Sequence, residues 1–445
     1  MSQSPASTGS AKGHRRVAVA ACLASTFEWY DYFIFGIAAA LVFGDVFFPA
    51  ASPVAGVLAA FATFAVGFLV RPVGAALAGH VGDKYGRKPA LVLALATMGV
   101  ATIGIGLLPS YASIGILAPI LLVVLRLLQG IAVGAQWGGA MLLATEYAPP
   151  GKRGLYGSFV QMGVIIGVVS ANFSFIVMQK ATGASLSTWG WRLPFLAGVL
   201  VLILAWFIHR KIEETPEFRS SQGSRDRGSE RSPVRQVLRN DRATVLLAGG
   251  SFAVHLATFY ILITGTLDYA TRELGMARSS VLVVTMIVAG AQLVTIPLAA
   301  KISDRVGRLR VYTIGVVGLL VWAVPMFLLI DTATVAGLAT AQLVGATFLS
   351  CIYGPQAALF AELFDAKVRY TGASLGYQVA SVFGGGLAPF IMVLLLESTG
   401  TSLSVSAYIM ALAVVALLSI VALARRARSA AATPPPAPIP VGAQV

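Results

Sequence analysis

The chain has 445 residues, of which 57% are hydrophobic and only 11% charged. Soluble domains carry roughly a quarter charged residues, so this composition excludes a protein that faces water on all sides. A net charge of +14 would point to nucleic acid in a soluble protein. In a membrane protein it is the ordinary surplus of Lys and Arg in cytoplasmic loops, and no nucleic-acid partner is expected.

An apolar helix needs about 20 residues to cross a bilayer. In chain order the apolar runs predict spans near 17–43, 54–77, 89–108, 116–146, 155–178, 192–209, 244–270, 281–300, 311–330, 335–362, 371–396 and 404–424. These runs are long and unbroken, whereas membrane strands alternate over roughly ten residues. The expected fold is therefore an all-α membrane protein of twelve transmembrane helices. A polar segment, 1–16, precedes the first span. Glu28 and Asp31 interrupt the apolar core that a cleavable signal needs, so the first helix is read as uncleaved and Arg15–Arg16 as a topology anchor.

Six spans, 17–209, are separated from six more, 244–428, by the polar stretch 210–243, which reads as a cytoplasmic linker. The tail 429–445, with its PPPAPIP run, reads as disordered. With the N-terminus inside, the inner segments hold most of the Lys and Arg, and the outer loops keep chiefly Lys180, Arg272 and Arg278. Both termini are thus expected on the cytoplasmic side.

The two halves repeat one another. Gly79, Asp83, Gly86, Arg87 and Lys88 follow the second span, and Ser303, Asp304, Arg305, Gly307 and Arg308 follow the eighth. Glu146 precedes Arg153 by the same interval as Glu362 precedes Arg369. Gly163/Gly167 and Gly372/Gly376 form small faces for close helix approach in spans five and eleven. Parallel six-helix repeats with substrate between them are the plan of many secondary transporters.

The segment Gly79…Asp83…Gly86-Arg87-Lys88 and the run Arg126-Leu127-Leu128-Gln129-Gly130 resemble signatures of the major facilitator superfamily. The resemblance narrows to its metabolite:proton symporters, which include shikimate, α-ketoglutarate, citrate and proline/betaine carriers. The segments that carry it are Glu28-Trp29-Tyr30-Asp31-Tyr32, Arg71-Pro72-Val73-Gly74, Trp191-Arg192-Leu193-Pro194-Phe195, Glu213-Glu214-Thr215-Pro216-Glu217-Phe218 and Tyr353-Gly354-Pro355-Gln356 through Arg369-Tyr370-Thr371-Gly372. It implies two six-helix bundles related by a pseudo-two-fold axis, proton-coupled uptake by alternating access, a bacterial-type cytoplasmic membrane and function as a monomer. It implies a small-molecule substrate and protons as partners, and no cofactor or metal. One position departs from the pattern: where the family usually has an acid on the fourth helix, this chain has Gln136. Drug/proton antiporters of the superfamily typically carry a Gly-Pro motif in the fifth helix, and 155–178 has no proline, which favours symport. HExxH, P-loop and Ser/His/Asp groupings are missing from the sequence, so an enzyme is not expected.

An ionised side chain at mid-bilayer costs about 2.5–3.5 kcal/mol on insertion scales, so one kept there usually faces a cavity or a partner. Counting about 1.5 Å per residue, Glu28 lies roughly 16–18 Å deep and Arg126 roughly 15 Å from the other side. Asp31 is one turn from Glu28 on the same face. The expectation is that Asp31, with Glu28, takes up the coupling proton and that Arg126 holds the carboxylate ionised; the resemblance implies the same pairing. Arg71 suits either a substrate carboxylate or an inward structural anchor. His255 suits either a proton relay or a hydrogen-bonded core position. Gln129, Gln136, Trp137, Gln161, Gln292, Tyr353, Gln356, Tyr377 and Gln378 are further candidates to line the substrate cavity.

The loop charges have a different expected role. Asp83, Arg87, Lys88, Glu146 and Arg153, with their echoes Asp304, Arg305, Arg308, Glu362 and Arg369, are expected to make and break pairs as the halves rock. Gly86 and Gly307 permit tight turns beside them. Gly354-Pro355, read as a break in the tenth helix, and Gly384-Gly385-Gly386 are candidate flexing points. The expected cargo is a small organic acid, with a zwitterion such as proline or betaine as the alternative and drug or metabolite efflux behind both.

Overall fold

The computed structural model describes residues 11–49, 69–215 and 233–432, with isolated positions between 59 and 67 and at 218. All regular structure among them is helical. Helix α1 is Ala11–Ala38, continued by a π-helical turn, Ala39–Phe43, into Gly44–Phe47. It is followed by α2 (Arg71–Lys84), α3 (Arg87–Leu107), α4 (Leu117–Glu146), α5 (Arg153–Thr182) and α6 (Arg192–Lys211). The second half holds α7 (Pro233–Arg272), α8 (Arg278–Val306), α9 (Arg308–Ile330) and α10 (Val335–Glu362). Then come α11 (Arg369–Ala380 and Ala388–Thr399, joined by π-helical Ser381–Gly386) and α12 (Leu403–Ala432).

Nine of the described helices are long and apolar enough on their own to cross a membrane, and α1 joins them when its two parts count as one span. The π-helical turn divides the apolar length of α11, and the first part of the second expected span, from 54, falls largely outside the described residues. Hydropathy marks only the stretch inside hydrocarbon, so the helices outrun it. Thus α1 begins at Ala11, α7 at Pro233 and α12 reaches Ala432. The expected linker 210–243 is helical at both ends; its middle, the start of the N-terminal segment and the tail from 433 lie outside the described residues.

The helix pairings repeat with a shift of six. The α1–α5 contact recurs as α7–α11, α2–α4 as α8–α10, and α3–α6 as α9–α12. The halves meet crosswise, α5 against α8 and α10, and α2 and α4 against α11. Small residues set these distances. A methyl on Gly163 would collide with the Cys22 carbonyl, and one on Gly167 with that of Thr26, so α5 lies flat on α1.

Gly86 and Gly307 adopt φ of +125° and +105°, the left-handed region that the expected tight turns require. The tenth helix differs from expectation. It runs unbroken through Pro355, since buried proline is tolerated where neighbouring helices satisfy the freed backbone groups. Gly354 permits close approach: its bare backbone packs on Ile296 of α8. Gly384–Gly386 lie in the π-helical turn of α11.

Candidate functional site

Asp31 is 1% exposed and is held from two directions. Its Oδ1 accepts hydrogen bonds from Thr102 Oγ1 of α3 and from Gln129 Nε2 of α4, the latter at 2.7 Å. Gln129 Oε1 accepts from Arg126 Nη1 at 3.2 Å, one helical turn away. Arg126 therefore reaches Asp31 through an amide, and Gln129, expected among the substrate-lining groups, is the bridge. Thr102 was not foreseen. The depth count that levels Glu28 with Arg126 also finds it: it stands fifteen residues into α3, about 22 Å from Arg87.

Tyr32 gathers the cations. The Arg71 guanidinium lies 5.2 Å from its ring centroid and that of Arg126 5.9 Å, with Arg126 also 4.2 Å from Phe35. Both arginines are buried, and stacking on aromatic faces offsets part of their lost hydration. Arg71 is thirteen residues from the end of α2 at Lys84, about 20 Å, which puts it level with Tyr32 rather than at the membrane surface. Glu28 is 4% exposed. It lies within electrostatic range of Arg71 and of the phenols of Tyr260, Tyr353 and Tyr377.

The second half supplies an aromatic wall. His255 of α7 stacks on Phe252 at 4.7 Å and on Tyr353 of α10 at 4.5 Å. Trp137 of α4 stacks on Tyr377 of α11 at 4.2 Å, across the two halves. Trp137 Nε1 donates to Gln161 Oε1 at 3.5 Å, and Gln161 Nε2 donates to Gln356 Oε1 at 2.8 Å. The hydroxyls of Tyr32 and Tyr260 face one another, as do those of Tyr353 and Tyr377. Tyr32 and Tyr260 had no role assigned from sequence; Tyr32 is simply one turn beyond Glu28 on the same face.

Two candidates lie apart. Gln136 turns its amide to the Ala24 carbonyl and ties α4 to α1. Gln292 borders a separate small cavity with Phe259 and Gln342. Gln378 is buried beside Tyr377 on α11.

At the basic end a second network joins the halves. Asp83 accepts from the amides of Tyr370 and Thr371 at 3.1 and 3.0 Å, from the Thr371 hydroxyl at 2.7 Å and from Arg87 at 2.9 Å. Asp304 accepts from the amides of Gly154 and Leu155 at 2.8 and 2.9 Å, with Arg308 at 3.5 Å. Each carboxylate thus sits on the positive end of a helix from the other half. Glu146 pairs with Arg87 at 3.7 Å and with Arg369 at 3.3 Å, and Glu362 pairs with Arg308 at 3.1 Å. Lys88 contributes through its backbone, whose amide donates to Glu214, as does that of Arg87. Glu214, part of the Glu213–Phe218 motif, thus caps α3. Arg153 opens α5 beside Asp304, and Arg305 is exposed.

Two six-helix repeats enclosing a buried layer of opposite charges are the plan of a membrane transporter. A profile described as Sugar (and other) transporter matches residues 17–244, and one described as Major Facilitator Superfamily matches 247–443. The chain belongs to the major facilitator superfamily. The shikimate transporter of Escherichia coli (strain K12) is 40% identical over 387 residues, covering 86% of this chain and 88% of its own length. The proline/betaine transporter of the same strain is 34% identical over 395 residues, covering 86% and 78%. Among solved structures, the proton:xylose symporter XylE bound to 6-bromo-6-deoxy-D-glucose aligns with a TM-score of 0.75 at 17% identity, covering 94% of this chain and 96% of its own. This likeness shows the fold. The protein is a multi-pass membrane transporter of a small molecule.

Proposed function

We propose that the chain takes up a small organic acid together with a proton, by alternating access and as a monomer. The observation that carries this is the balance of the buried layer: Glu28 and Asp31 against Arg71 and Arg126. Ionised, the four sum to zero. A proton on Asp31 leaves one cation in excess in a medium where an unpaired charge is costly, and a substrate carboxylate restores neutrality. Proton and anion then bind together and leave together. The Oδ2 of Asp31, which accepts no hydrogen bond among the described residues, is the atom that takes the proton.

In this reading the basic end is cytoplasmic, both termini lie there, and the Asp83 and Asp304 networks form the closed inner gate. Substrate enters from the opposite end. Release requires both carboxylates to leave their helix ends.

A zwitterion such as proline or betaine is the second reading, favoured by Glu28 among Tyr260, Tyr353 and Tyr377. A carboxylate beside aromatic faces suits a quaternary amine. Electrical recording on proteoliposomes separates the two. Uptake of a monoanion with one proton moves no net charge, whereas a zwitterion with one proton carries current. Shikimate, monocarboxylates, dicarboxylates, proline and betaine are the compounds to try. If none accumulates under an imposed inward proton gradient, proton-coupled uptake is refuted.

A further inference from the structure

The Arg15–Arg16 pair has a neighbour that an anchor role does not use. A groove of about 610 Å³ opens to the membrane between α1 and α6, bordered at its basic end by these two exposed arginines. Ala20 and Leu204 form its floor, and Leu23, Phe27, Ile203 and Phe207 its walls. From Arg15 to Phe27 the groove follows twelve residues of α1, about 18 Å. One leaflet of hydrocarbon is about 15 Å thick, half of the roughly 30 Å core. The groove therefore has the length of an acyl chain and ends where a headgroup lies.

The rim has one sign of charge. Arg210 and Lys211 close α6 at the same end and are exposed. The charged residues that line the groove are Arg15 and Arg16, and the nearest acids in sequence, Glu28 and Glu213, lie outside its lining. A zwitterionic phospholipid brings its own cation to this rim and gains little net attraction, whereas an anionic phospholipid offers its phosphate diester to two guanidinium forks with no cation of its own beside it.

We infer that the α1–α6 groove is a binding site for an anionic phospholipid, one acyl chain along Leu23 and Phe27 and the phosphate on Arg15 and Arg16. The site lies outside the charged layer and its substrate, and it stands whether or not protons are coupled.

Native mass spectrometry of the full chain, released from mixed micelles with phosphatidylglycerol or phosphatidylcholine, tests this. Wild-type protein retains phosphatidylglycerol in preference to phosphatidylcholine. The double variant Arg15→Gln/Arg16→Gln weakens that retention about tenfold or more, on the scale of about one kcal/mol per basic residue at an anionic surface. Leu23→Trp, which fills the groove and keeps every charge, weakens it as well. Arg425→Gln/Arg426→Gln removes two exposed arginines from the end of α12 and leaves retention unchanged. Soluble glycerol phosphate fails to displace the lipid. Equal retention of phosphatidylcholine, no effect of Leu23→Trp, equal loss in the α12 variant, or displacement by glycerol phosphate would each overturn the assignment.

Discussion

Asp83 and Asp304 do the same thing in opposite directions: each leaves its own half to cap a helix of the other, Asp83 on α11 and Asp304 on α5. A carboxylate at a helix N-terminus combines two amide bonds with the helix dipole. Because both caps cross between the halves, neither half can rotate at the basic end without breaking both. If the bonded elements move as rigid bodies, the two caps open as one step.

That coupling gives the first prediction. Asp83→Asn keeps the shape but loses the charge and one accepting oxygen, weakening the cap by roughly 1.5–3 kcal/mol. Hydrogen exchange at the amides of Tyr370 and Thr371 rises about tenfold or more. The amides of Gly154 and Leu155, which Asp83 does not touch, rise with them. Protection that changes only on α11 would mean that the two caps open independently, and the single gate would be ruled out.

Helix approach sets the second. A methyl on Gly163 meets the Cys22 carbonyl of α1, and overpacking of this kind costs about 1–3 kcal/mol. Gly290 on α8 has nothing within 4 Å of an added Cβ. Gly163→Ala lowers the melting temperature of the purified protein. Gly290→Ala leaves it unchanged or raises it, because alanine restricts the unfolded chain by about 0.5–1 kcal/mol. Similar losses in both would remove the close α1–α5 contact as the cause.

Gln136 sets the third. Its side-chain amide donates to the Ala24 carbonyl, which an ionised carboxylate cannot do. Gln136→Glu sets two acceptors against each other in a buried place, at a cost of about 1–3 kcal/mol. A protonated carboxyl can donate, so the loss is present at neutral pH and recovers as pH falls. Gln136→Leu removes the donor without adding an acid, and its smaller loss is independent of pH. Melting temperatures of the two variants across a pH series make the comparison. A pH-independent loss in Gln136→Glu would show that the residue need not donate.

Most of the architecture was legible because hydrocarbon leaves a long, unbroken mark on sequence. The spans, the two halves and the paired Asp83/Asp304 signatures followed from run length and repetition. Helix ends were less legible, since a helix stays hydrogen-bonded where its side chains turn polar, as at Ala11 and Ala432. The charged layer was legible by depth, because Glu28, Asp31 and Arg126 stand out against an apolar background. Its wiring was not. Gln129 as a bridge, Thr102 as a second donor and Tyr32 as a shared aromatic face depend on rotation about the helix axes, and hydropathy carries no record of that. Glu214 escaped because capping α3 from the far end of α6 is a tertiary contact.

The last prediction bears on Asp31. Asp31→Asn preserves an oxygen to accept from Thr102 and Gln129, so the packing of α1, α3 and α4 is maintained, but the group no longer titrates. With Glu28 ionised, the buried layer then carries one cation in excess, the state that a proton on Asp31 would produce in the native protein. Substrate exchange across the membrane, which needs no net proton movement, persists in proteoliposomes. Accumulation driven by an imposed pH gradient falls to the level set by substrate alone. Gln129→Leu severs the bridge from Arg126 while leaving the acid, and it lowers gradient-driven uptake more than exchange. If Asp31→Asn still accumulates substrate in response to the pH gradient, the proton resides elsewhere, and Glu28 becomes the group to substitute next.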